Sequence, residues 1–109
     1  MGWCRSDVAT LDRLRARGLD EAALELLEEC MAVAEREAGA AQVAPPMTYA
    51  LRAAVIHRRR RDHAAEVEVL ERWVAACPEP RDPHSRVAVR LVKARRLRDA
   101  ADRQARRRV

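Results

Sequence analysis

The side chains in this sequence that could do chemistry are three histidines, three cysteines and a set of carboxylates. His57 and His63 stand six residues apart, on different faces of a helix or across a turn, and Cys4, Cys30 and Cys77 form no CxxC pair. A protein metal site usually draws on two closely spaced ligand pairs, so no metal is expected and the histidines read as caps or exposed residues. Among the carboxylates, Glu28 and Glu29 point apart on a helix, while Glu25 and Glu29 form a solvated i, i+4 pair. There is no nucleophile elbow, phosphate loop or dinucleotide fingerprint, and three glycines cannot build a phosphate cradle. No catalytic residue and no cofactor site are therefore expected.

Charge offers a different kind of chemistry. The net charge is +5, but residues 1–84 hold 12 Arg against 15 acids, whereas residues 85–109 hold ten Arg or Lys against two Asp. Arg86, Arg90, Lys93, Arg95, Arg96 and Arg98 would ring the last helix as a basic patch. Such a patch suits an acidic partner: nucleic acid, an acidic protein, or the acidic second helix of this same chain. No aromatic residue interleaves with these cations for base stacking, and no DNA-binding motif is recognisable. Arginine takes all but one of the 22 cationic positions, a bias that fits a high-GC, bacterial coding sequence.

The elements that position these groups are helices throughout. A chain of 109 residues suffices for one domain, expected to span 1–109, and its core must come from Leu, Val and Ala because Phe is absent. Helical spacing predicts a first helix from Ser6 or Asp7 to about Arg17, broken at Gly18. A second is capped by Asp20 and stopped by Gly39, with Glu21, Glu25, Glu28 and Glu29 loading its start. A third runs from about Pro46 to Arg60, and a fourth begins at Asp62 or His63 and ends before Pro78. Asp82 and Pro83 suit the cap and first position of a basic fifth, over about 83–105. In the fourth helix Val67, Leu70, Val74 and Cys77, flanked by Val69, Trp73 and Ala76, cover half the circumference, so it should lie between two neighbours. Glu66 alone places a charge in that arc, either as a partner-binding carboxylate or paired with Arg52 or a member of the Arg58–Arg61 run.

The spacing of Glu66, Leu70, Trp73 and Pro78 resembles the second half of a tetratricopeptide repeat (TPR), with Glu66 standing where the family places a small residue. Arg17 to Glu29, RGLDEAALELLEE, resembles a more degenerate copy. The run from Tyr49 through EVEVLER is also similar to short bacterial TPR-like proteins. The resemblance implies an all-α fold of about five helices stacked as antiparallel hairpins, a right-handed solenoid fragment or bundle. It also implies protein binding rather than catalysis.

On that reading the protein is a non-catalytic interaction module, adaptor, scaffold or regulator, using Tyr49, Arg52, Ile56 and Arg59 on the inner face of its third helix, with Glu66, Leu70, Trp73 and Pro78 structural. Its partner would be another protein or a second copy in a homodimer, since short stacks must hide their end faces. The alternative is a nucleic-acid-binding protein using the basic last helix. No apolar run reaches the length of a membrane span or signal segment, so no membrane partner is expected, and the unpaired cysteines suit the reducing cytoplasm.

Overall fold

The computed structural model describes residues 9, 10, 12, 13 and 18–108. Among the described residues the chain is all-α with no strand, and it forms four helices rather than about five: α1 (Asp20–Ala41), α2 (Thr48–Arg59), α3 (His63–Ala76) and α4 (Arg86–Arg107). The expected first helix lies outside the described residues, apart from Ala9, Thr10, Asp12 and Arg13, which are helical. Gly18 takes a φ of 72°, the left-handed conformation that glycine adopts without strain, just before α1.

Several helix ends differ from the sequence expectation, each for a local reason. Leu19 rather than Asp20 is the N-cap of α1; Asp20 is the first helical residue, where its carboxylate meets Arg59 instead of a backbone N–H. Helix α1 runs through Gly39 to Ala41, because Gln42 supplies the left-handed turn with a φ of 58°. The N–H of Val43 then donates to Ala38 O at 3.0 Å, closing the last turn. Helix α2 ends the same way: Arg61 has a φ of 58° and Asp62 N–H donates to His57 O at 2.8 Å. Asp62 caps α3, its Oδ1 accepting from Ala65 N–H at 3.2 Å. The cap of α4 is Ser85, whose Oγ accepts from Ala88 N–H at 3.1 Å, while Asp82 closes a turn before it by accepting from His84 N–H at 2.8 Å.

Each helix packs chiefly on its neighbours in the chain: α1 on α2, α2 on α3, α3 on α4. One core joins all four through Leu27, Cys30, Tyr49, Ile56, Leu70, Val87 and Leu91. Alanines at Ala23, Ala50, Ala53, Ala54 and Ala94 line the contacts and admit close approach of the backbones. Helix α3 is buried on two sides, toward α2 and toward α4, as its wide apolar arc requires. It has 14 residues against the 22 of α4. At 1.5 Å per residue α4 outruns it by roughly 12 Å. Accordingly Val87, Leu91 and Ala94 are buried, but every residue from Asp99 to Arg108 is exposed, Ala101 included.

Candidate functional site

The most distinctive charged group in the structure is Glu66, a carboxylate with no solvent exposure. It sits in the first turn of α3, where the helix dipole favours a negative charge. Arg58, near the end of α2, donates from Nε to Oε1 at 3.0 Å and brings Nη2 within 2.9 Å of Oε2, a charge contact without hydrogen-bond alignment. Arg90 of α4 donates from Nε to Oε2 at 2.9 Å. One carboxylate therefore ties three helices. Arg52 does not take part; it pairs with Asp12 at 2.6 Å. Leu70, one turn further along, is fully buried.

The remaining ion pairs sort the two charged surfaces. On α1, Asp20 pairs with Arg59, Glu21 with Arg60, and Glu28 and Glu35 together clamp Arg72 of α3. Arg72 donates from Nη1 to both Glu28 oxygens at 2.6 and 2.7 Å and from Nε to both Glu35 oxygens near 3.0 Å, and hydrogen bonds to Glu35 and then Glu28 push its pKa up. The acids of α1 are thus met by α2 and α3, not by the basic last helix as one sequence reading had it. Helix α4 turns to α3 instead, with Arg90 on Glu66 and Arg95 on Glu71 at 2.9 Å.

Two of the concave regions among the described residues adjoin these helices. The first, of about 330 Å³, lies among α1, α2 and α3 and is lined by Leu24, Glu28, Ala53, His57, Glu68 and Arg72 among others. Burial holds the His57 imidazole below its usual 6.5; Asp62 pulls it up, Arg60 pushes it down, and Glu66 and Glu68 pull it up more weakly. The unfolded chain therefore takes up a proton at this position before the folded one does. The His57 contribution to stability is complete above pH 6.5 and is lost as pH falls through the depressed folded value. Urea unfolding is expected to show a midpoint that drops between about pH 7.5 and 5, with His57→Gln flattening the drop. An equal acid-induced loss in both proteins would contradict the burial of this imidazole.

The second region, of about 340 Å³, is a more apolar groove where α3 gives way to α4, lined by Trp73, Val74, Cys77, Pro78, Pro80 and Ala88 with Ala44 opposite. Trp73 is fixed there by its Nε1–H, which donates to Pro45 O at 2.9 Å. The Cys77 Sγ–H donates to Trp73 O at 3.3 Å, and burial pushes its thiol pKa up, which disfavours the reactive thiolate. Val92, one helical turn beyond Ala88, is exposed and continues that face of α4.

The face expected to bind a partner is distributed differently. Tyr49 and Ile56 are core residues, 4% and 2% exposed, while Arg52 and Arg59 are engaged by Asp12 and Asp20. The basic patch divides in two: Arg90, Arg95 and Arg98 are paired, with Glu66, Glu71 and Asp99, whereas Arg86, Lys93 and Arg96 form no ion pair among the described residues. The groove escaped the sequence reading because a proline-rich turn supplies part of its wall, and the path of such a turn has no periodicity to read. Pro78 and Trp73 were visible only as a helix stop and a packing residue.

Among the described residues no three His, Cys, Asp or Glu side chains cluster as metal ligands. No helix among them is long and apolar enough to cross a membrane. No protein-family model matches the chain, and neither does any curated protein or solved structure.

Proposed function

We propose that the protein is a small non-catalytic protein-interaction module of TPR-like type, its helices running as antiparallel hairpins, and that a partner's apolar side chains dock in the groove between α3 and α4. The observation that carries this reading is the groove itself. It combines an aromatic wall at Trp73, rigid prolines and, one helical turn beyond Ala88, the exposed Val92, the apolar and preformed character of peptide-binding sites. The antiparallel arrangement is supported by the three residues that separate α2 from α3, a connection too short for anything but neighbouring helices that reverse direction. The partner surface is accordingly moved from Tyr49 and Ile56 to the groove.

Affinity capture from host lysate with wild type, Ala88→Glu and Val92→Glu tests the reading. The wild type is expected to hold a protein partner through nuclease treatment and high salt, because apolar contact is insensitive to both. Both variants should release it while keeping the same circular dichroism. Capture that is identical for all three proteins, or that disappears with nuclease, would reject the groove.

A further inference from the structure

We propose that the outward face of α4 binds the phosphate backbone of duplex DNA without regard to sequence. At 100° per residue, Arg86, Val89, Lys93, Arg96, Ala100, Arg103 and Arg107 fall in one line down α4, opposite the buried Val87, Leu91 and Ala94. Five of these seven are cations, none is an acid, and none of the five forms an ion pair among the described residues. The pairing pattern separates this line from the rest of the helix, since the cations turned toward α3, Arg90 and Arg95, are the ones neutralised by Glu66 and Glu71. Furthermore, the last turns of α4 project past the end of α3 and are exposed on every side, with Arg106 and Arg108 at the tip. A projecting helix of this kind can enter a B-form major groove, about 12 Å wide, with cations reaching phosphates on its walls.

Other anionic occupants fit less well. Two copies meeting through α4 about a two-fold axis would oppose like charges. A copy offering α1 would bring Glu25, Glu29 and Glu37 as its acids without an ion pair among the described residues, since Asp20, Glu21, Glu28 and Glu35 are already neutralised internally. A lipid surface requires a continuous bulky apolar face, whereas Val87 and Leu91 of α4 are buried and its exposed large apolar residues are the two valines Val89 and Val92, set among cations. Single strands call for aromatic stacking, and α4 carries no aromatic residue. Duplex RNA presents a deep, narrow major groove that excludes a helix.

Fluorescence anisotropy with a labelled random-sequence DNA duplex of about 20 base pairs tests the proposal, run across salt concentrations. Contact with three to five phosphates predicts a log–log slope of about −3 to −4.5. The charge reversal Lys93→Glu with Arg96→Glu should weaken binding by about tenfold or more at low salt, whereas Arg13→Glu with Arg36→Glu, of equal net charge, should not. These side chains are exposed, so both variants should keep the wild-type circular dichroism. No binding by the wild type, or equal weakening in both variants, would overturn the proposal. It would also fall if duplex RNA or polyglutamate displaced the probe as well as unlabelled DNA does, or if wild type self-associated through the same residues without binding DNA.

Discussion

Replacing Glu66 by alanine is expected to lower stability by about 3–5 kcal/mol, the usual cost of breaking a buried ion pair by removing one partner. The loss arises less from the missing attraction than from what remains. The side chains of Arg58 and Arg90 are only 28% and 23% exposed, and without the carboxylate both guanidiniums stay partly desolvated beside each other. For a domain whose total stability is of order 5–15 kcal/mol, this amounts to a fall in midpoint of roughly 15 °C or more. Glu66→Gln should lose much of the same stability, since it keeps the shape but not the charge. Converting the three together, Glu66→Leu with Arg58→Leu and Arg90→Met, should restore most of the midpoint, because apolar side chains of similar volume avoid the desolvation cost. Thermal unfolding followed by far-UV circular dichroism reads all three. A Glu66→Ala midpoint equal to that of the wild type would refute the pairing account.

Trp73→Ala is expected to cost about 3 kcal/mol, near the lower end for a large aromatic, because Trp73 is packed against the core yet partly open to the groove. Two effects combine. The indole body fills space between α3 and the segment entering α2, and its N–H satisfies the carbonyl of buried Pro45. Trp73→Phe separates them: it retains most of the packing and should cost about 0.5–1.5 kcal/mol for the hydrogen bond. Denaturant unfolding of the three proteins gives the comparison, and a Phe variant as unstable as the Ala variant would mean that packing is the lesser part.

Much of the fold is legible locally. The all-helical character follows from apolar spacing in each segment, and the Asp62 cap and the Pro78 stop are chemical signals carried by single residues. Glu66 was marked by its place in an apolar arc, and one of its partners, Arg58, lies eight residues away, within reach of a short turn. Its other partner, Arg90, is 24 residues away and comes from the opposite side of the helix pack, where nothing in the spacing singles it out from nine other cations. The α4 start shows the limit of cap signals, since Asp82-Pro83 and Ser85 both carry cap chemistry and only the path of the turn chooses between them. Tyr49 and Ile56 illustrate the converse. Periodicity shows that they share a face, but whether that face meets the core or a partner depends on which neighbour lies across it.

A row of helices in which each packs chiefly on the next can come apart from its ends, one helix at a time. The shared carboxylate of Glu66 works against such piecemeal unfolding. If α4 peels away, Glu66 loses its hydrogen bond from Arg90, so the separation exposes apolar surface and breaks a buried ion pair together. Opening α2 from α3 produces the mirror situation with Arg58. Partial unfolding at either junction therefore carries a penalty at the same side chain, which binds α2, α3 and α4 into one cooperative unit.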